Sequence, residues 1–270
     1  MKYLIILFFS LLLLSCEKDE SIDFLKGPWV VSTLKNIELY TRPNNFSTSK
    51  SPDSTTINSV LIDQNSFIDT INKRLHINCT SKFKIYLFNR DEAKDLIGTN
   101  TGGYANPKDA SIYYTFFEKP FFYPDMNLYS YLGLHELVHL ITYDAFGLPK
   151  NRMMIEGYAV AIENSYGGHF GNNGEMIRTM NRDWMKIFVA NNSILTPNEL
   201  LEGNYIPEGT YYPQVGTFIN WLFDRFGVEQ INKLYMVDKQ DFKRRFRELF
   251  NIEYDDIEKD YLEFCKKEFK

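Results

Sequence analysis

Nothing in this chain is apolar for long enough to cross a membrane as a helix. Its hydrocarbon run, Leu4 to Leu14, holds about eleven apolar residues, against the roughly twenty that a spanning helix needs. No glycine-rich phosphate loop follows any candidate strand, which argues against a nucleotide-binding sheet. An excess of positive charge is also missing: the formal net charge is −5 and the isoelectric point is near 5.5, which argues against a nucleic-acid binder. The basic cluster Lys243-Arg244-Arg245 does not alter this, because Phe242, Phe246, Leu249 and Phe250 recur at helical spacing around it and make it the wet face of an amphipathic helix. There is no internal repeat. Histidine is scarce, at four residues, and cysteine scarcer, at three. What is abundant is core material: 44% hydrophobic and 16% aromatic residues exclude a disordered tail.

The N-terminus reads as a targeting segment. Met1-Lys2 is a short positive start, the run to Leu14 suits a secretory h-region, and Leu13-Leu14-Ser15-Cys16 resembles the bacterial lipobox, in which the cysteine carries lipid and becomes the new N-terminus. Residues 1–15 are therefore expected to be a lipoprotein signal peptide, with Cys16 as the lipidation site and membrane attachment through that lipid. The charges Glu17-Lys18-Asp19-Glu20 have two readings: a solvated tether, or a sequence that resembles the export tag of surface lipoproteins of Bacteroidetes. The expected location is the bacterial cell envelope, at the outer membrane, facing either the periplasm or the outside. Once Cys16 is lipidated, Cys79 and Cys265 remain, either as a pair or as two buried thiols.

Removing the leader leaves 270 − 15 = 255 residues, the size of one large domain. Residues 16–27 read as tether and 28–270 as a single domain, with an N-terminal part over 28–146 and a helical part over 147–270. Trp29 to Tyr40 predicts one or two strands, Thr41 to Ser54 a loop, and Thr55 to Leu75 a long helix. Lys82 to Leu87 alternates as a half-buried strand. A Gly-rich turn, "GTNTGGYANP", precedes a second strand, "ASIYYTFF". From about Leu128 the chain reads as mostly helical to its end. Strands and a helix followed by helices give an α+β fold, with a small N-terminal mixed sheet, rather than the repeated βαβ alternation of a nucleotide-binding sheet.

The stretch that carries chemistry is Gly133 to Leu140, "GLHELVHL". Residues i and i+4 share one helix face about 6 Å apart, so His135 and His139 can present two imidazoles to one zinc ion while Glu136 reaches a water beside the metal. Leu132, Leu134, Leu137, Val138, Leu140 and Ile141 make the helix nearly all apolar. Polar groups buried there need partners, and a zinc ion would supply one for both imidazoles. The competing reading is a chance motif in a buried helix. A catalytic zinc needs a third protein ligand and an open fourth position. No histidine stands at the HExxHxxGxxH spacing, where Thr142 and Ala145 fall. Seventeen residues after His139 comes Glu156-Gly157-Tyr158-Ala159, beyond a Gly147/Pro149 break that lets a second helix run back.

HELVH followed by E-G-Y-A resembles the gluzincins, the thermolysin-like and aminopeptidase-like zinc peptidases. That resemblance implies Glu156 as third ligand, one zinc ion per chain, Glu136 as general base, and Gly157 as the small residue that lets the HELVH helix and the glutamate helix approach. It extends to "GGYANPKDASIYY", similar to the edge strand along which gluzincins bind an extended peptide, with Gly103, Tyr104 and Ala105 as substrate-binding residues. It also covers Tyr212 to Phe218, which match a Y-x-Q-x-G-x-F pattern, and "FRELFNIEYDDIEKDYLEFC", similar to the closing helices; together these span most of residues 35–268. The spacer to Glu156 is shorter than in thermolysin. Gluzincins use a tyrosine or histidine to hold the oxyanion, which points to Tyr212, with Tyr211 and His169 as rivals.

Other residues have plainer readings. Glu163, about 10 Å further along the same helix face, is too far to share the metal with Glu156. Asp144 reads as a surface carboxylate or as a hydrogen-bond partner of a ligating histidine. His76 reads as a helix C-terminal residue favoured by the helix dipole. The expected activity is zinc-dependent hydrolysis of peptide bonds in a peptide or protein substrate. Two alternatives are a catalytically inactive peptidase-like lipoprotein that binds a peptide or protein partner, and a structural lipoprotein in which HELVH is coincidental. Residues 21–50 either tether the domain or cover its cleft.

Overall fold

The computed structural model describes residues 25–43, 52–89, 103–116, 132–170, 176–203 and 205–270. The expected signal peptide, Cys16 and residues 16–24 of the tether lie outside the described residues, as do the acidic run 17–20, most of the loop read over Thr41–Ser54 and the expected helix start at Leu128.

The chain is a mixed α+β protein. Strands β1 (Val30–Leu34) and β2 (Ile37–Thr41) form an antiparallel hairpin whose turn is made by Lys35 at φ 47°. Helix α1 (Ser54–Leu75) then crosses over to β3 (Phe83–Asn89), which lies parallel to β2. Strand β5 (Ser111–Phe116) continues the sheet parallel to β3, and β4 (Gly103–Asn106) closes it antiparallel to β5, giving the order β1-β2-β3-β5-β4. One βαβ crossover therefore exists, β2-α1-β3, without the repetition of a nucleotide-binding sheet. Part of the stretch expected as a Gly-rich turn, Gly103–Asn106, is strand β4, because its backbone pairs with Ser111–Tyr114.

Alternation along the strands sorts the two faces. Ile37, Leu39, Phe83, Ile85, Leu87, Ile112 and Tyr114 join the main core with α1, whose buried Val60, Gln64, Ile68, Ile71 and Leu75 recur every three or four residues. Tyr86, Phe88 and Tyr113 face the other way and pack with Trp29 and Tyr40. Asp53 caps α1 by accepting the Thr56 amide at 2.7 Å. At its far end His76 takes the left-handed cap conformation and sits 3.3 Å from Glu229, exposed, in agreement with its structural reading.

The second half holds α2 (His135–Phe146), α3 (Arg152–Glu163), α4 (Asn181–Ala190), α5 (Pro197–Glu202), α6 (Glu208–Phe226), α7 (Val228–Asn232), α8 (Lys239–Phe250) and α9 (Ile257–Glu268). It is not helical throughout: β6 (Ser165–Phe170) and β7 (Met176–Met180) form a hairpin after α3. Asn164, in the left-handed conformation, ends α3, and Gly167 at φ 62° keeps the following backbone out of a helix. His169, expected in a loop, is part of β6.

Gly157 does permit a close approach, but of α6 rather than α2. A Cβ there would lie 2.6 Å from Ile219 Cγ1, and one at Gly216 would lie 2.5 Å from Val160 Cγ1, so the glycines of α3 and α6 interleave. Lys243, Arg244, Arg245 and Arg247 of α8 are paired with Asp241, Glu248, Glu253 and Asp255 while Phe242 and Phe246 are buried. Cys79 and Cys265 are both free and buried, so they do not pair. Among the described residues, no helix is long and apolar enough to cross a membrane.

Candidate metal centre

The approach to α2 is held before the helix begins. Tyr114 of β5 donates its hydroxyl to the Gly133 carbonyl at 3.0 Å, and Gln64 of α1 donates to the Leu132 carbonyl at 2.9 Å. Leu137, Val138, Leu140 and Ile141 are buried, which turns the row His135, His139 and Tyr143 toward a cleft of about 580 Å³. Gly147 ends the helix at φ 97°, and Asn151 caps α3 by accepting the Met153 amide at 3.0 Å. The short Gly-Pro link thus lays Glu156 opposite the two histidines.

The three side chains converge. Glu156 Oε2 is 3.4 Å from His135 Nε2 and 3.7 Å from His139 Nε2, and one donor atom from each residue lies within 4.8 Å of the others. Donors bound tetrahedrally to zinc at about 2.0–2.2 Å sit roughly 3.3–3.6 Å apart, so the set of two imidazoles and one carboxylate and the two Glu156 distances fit a zinc ion, while the widest pair would have to draw in by about 1 Å. The two rings stand at 86° with centroids 4.8 Å apart, aiming both nitrogens at one region from different directions.

Burial and the close approach of two imidazoles and three carboxylates perturb every titratable group of the site. Burial works against a charge on His135, but hydrogen bonding to Glu156 and Glu163, with the charge of Glu136, outweighs it and pushes the imidazole up to about 10. Burial pushes His139 down to about 3, helped by its cationic neighbour His135. Burial would also raise Glu156, yet the His135 hydrogen bond, the two imidazoles and the Tyr212 hydroxyl hold its carboxyl below the usual range. Burial, followed by repulsion from Glu156 and Glu163, raises Glu136 despite His135 and an amide hydrogen bond from Ala105.

That Ala105 amide ties Glu136 to the edge strand. Gly103, on the same strand, leaves no room for a side chain: a Cβ would lie 2.5 Å from the Tyr114 ring and 2.8 Å from Glu136 Cγ. Tyr104 is half exposed and stacks on Tyr113 at 6.1 Å. Gly103, Tyr104 and Ala105 all line the cleft, on the outermost strand of the sheet.

Tyr212 is in the cleft, its ring nearly parallel to His135 at 6.1 Å and its hydroxyl hydrogen-bonded to Glu156. Tyr211 is not; it is fully buried and donates to the Leu200 carbonyl at 2.8 Å. The side chain of His169 lies outside the described residues. Asp144 accepts from Ser81 Oγ at 3.0 Å and Cys79 Sγ at 3.3 Å, and so serves neither histidine.

Arg178, Tyr143 and Tyr166 were missed in the sequence, and Glu163 was weighed there only against the metal. Glu163 is not a ligand, but its Oε2 faces His135 Nδ1 at 3.5 Å while Arg178 of β7 donates to its Oε1 at 2.6 Å. A side chain on Gly133 would collide with that Glu163 carboxylate, which explains the glycine that opens the motif. Tyr143 stacks on His139 at 5.9 Å and 12°, and Tyr166 packs edge-on against Tyr212 at 5.1 Å. Tyr143 was legible as His139 plus four; Arg178 and Tyr166 reach the cleft only through the hairpin. Comparison of the chain with known protein families and with curated proteins finds no match.

Proposed function

We propose that this chain is a gluzincin-type zinc peptidase, anchored in the bacterial cell envelope through lipid on Cys16. The observation that supports it best is the convergence of His135, His139 and Glu156 beside Glu136, which is itself bonded to the edge strand. His135, His139 and Glu156 would hold one zinc ion. When bound, zinc supplies Lewis-acid polarisation of a carbonyl and lowers the pKa of water.

The chain's own groups do the rest. Among the described residues β4 pairs only with β5, and the Ala105 amide, donated to Glu136, marks the edge that faces the cleft, so an extended peptide can add there through Gly103 and the Ala105 carbonyl. Glu136 takes the proton of the attacking water and returns it to the leaving amine. Tyr212 offers its hydroxyl to the oxyanion that develops at the scissile carbonyl, turning from Glu156 to do so. Glu163, held by Arg178, keeps the His135 ring aimed at the metal.

Glu136→Gln is the test. It should keep zinc and lower peptide hydrolysis by about 10²–10⁴-fold. Undiminished hydrolysis would refute the role of Glu136. Zinc and peptide binding without any hydrolysis in the wild type would favour the non-hydrolytic peptide-binding reading.

A further inference from the structure

We propose that the exposed apolar stretch 25–31, LKGPWVV, is a surface that sits on the lipid bilayer and turns the metal cleft away from it. The inference rests on the reading of Cys16 as a lipid anchor and adds the orientation of the anchored domain. Among the described residues ten large hydrophobic side chains are exposed, and three of them, Leu25 at 39%, Val30 at 48% and Val31 at 47%, fall within these seven positions. Single exposed apolar residues are ordinary, but a cluster marks a surface that something covers.

The stretch is fixed to the domain, although its first three residues were expected as tether. Trp29 donates its indole N–H to the Leu25 carbonyl at 3.0 Å and packs edge-on against Tyr86 and Phe88, with centroids 5.2 and 5.3 Å away. Arg42 lies over the Trp29 ring at 3.7 Å and donates to the Pro28 carbonyl at 3.3 Å. The Trp29 ring packs on the sheet, so Leu25, Val30 and Val31 are held in place without being buried by the fold. Val30 and Val31 belong to β1, which among the described residues pairs only with β2 and leaves its outer edge open.

Position names the occupant. Leu25 follows Cys16 by nine residues, which span at most about 30 Å at full extension, so a lipid on Cys16 holds this stretch close to the bilayer. At the headgroup boundary the apolar side chains can enter the hydrocarbon while the open backbone edge of β1 stays hydrated. Strands β1 and β4 are the opposite edges of the sheet, four strand spacings or about 19 Å apart. With β1 on the membrane, β4 and the cleft that Gly103, Tyr104 and Ala105 line stand on the far side, open to peptides that arrive through water.

The experiment reconstitutes the full lipidated chain in vesicles of phosphatidylethanolamine and phosphatidylglycerol, with an environment-sensitive fluorophore on Val31→Cys or, in a second sample, on Tyr205→Cys. Tyr205 is 99% exposed and lies three residues before Glu208 of the cleft wall, and wild-type chain labelled alongside measures any reaction of the buried Cys79 and Cys265. Brominated lipids should quench the fluorophore at position 31 severalfold more than at position 205. Val30→Asp, added to Val31→Cys, should abolish that excess with circular dichroism unchanged. Equal quenching at the two positions, an excess at 205, or an excess at 31 that Val30→Asp leaves unmoved would overturn the contact. Shielding of position 31 that appears without vesicles and grows with protein concentration would assign the stretch to a second copy and overturn it too. Mass spectrometry of Cys16 tests the anchor separately. Chain found without lipid refutes the anchor and is mixed with the same vesicles, where excess quenching at 31 sustains the contact and its absence overturns it.

Discussion

Loading zinc into this site should expel one proton, and that proton belongs to His135. In the metal-free protein His139 is held down to about 3 and is neutral at pH 7, while Glu156 is depressed and already ionised. Only His135, raised to about 10 by its two carboxylate partners, still carries a proton on a group that must become a metal ligand. Between pH 7 and pH 10 the metal competes with that proton, so the apparent zinc affinity should rise about tenfold per pH unit. Over three units this amounts to roughly 10³-fold, or about 4 kcal/mol. An ordinary imidazole near 6.5 would leave only the shallower rise that ionisation of a zinc-bound water contributes over the same range. The assay is competition with a chelator of known affinity at half-unit steps of pH, with proton release counted calorimetrically in buffers of different ionisation enthalpy. Glu136→Gln, measured in parallel, removes from the count the one carboxyl of the site whose pKa is raised. A profile no steeper than that shallower rise above pH 7, or no proton released at pH 8, would refute the assignment. The same raised pKa has a consequence for folding: in metal-free protein the charged His135 contributes stability fully present below about pH 6.5 and lost as pH rises through about 10.

Two further outcomes follow from side chains around the site. Glu163→Ala, which removes the carboxylate facing His135 Nδ1 and leaves Arg178 without its 2.6 Å partner, should weaken zinc binding about 10–100-fold by chelator competition, with the fold retained by circular dichroism. Gly157→Ala should cost about 1–3 kcal/mol in urea unfolding, because the added methyl meets Ile219 Cγ1 at 2.6 Å and Val215 Cγ2 at 3.2 Å.

Much of the framework could be read from local chemistry. Helix α1 showed in the recurrence of Val60, Ile68, Ile71 and Leu75, and the end of α2 in Gly147 and Pro149. The spacing of His135 and His139 is a property of one helix, so a single stretch of sequence could place them together. Bringing Glu156 to them needed α3 to fold back, which the link at residues 147–151 allows but does not dictate. What stayed hidden depended on contacts between distant segments. The hairpin β6–β7 was masked by glycines that read equally well as loop, and with it went Arg178 and its hold on Glu163. Gly157 looked like a spacer for α2 because Glu156 is its neighbour, but one residue of helical rotation turns it to α6. Gly103 to Asn106 carries turn-forming residues, and only pairing with β5 makes it a strand.

The central claim, that His135, His139 and Glu156 form a zinc site, is tested most directly by the metal content of purified protein, wild type beside Glu156→Ala. The account predicts one zinc per chain in the wild type and little or none in the variant at equal folding. Zinc absent from both, or retained undiminished when Glu156 is gone, would contradict it.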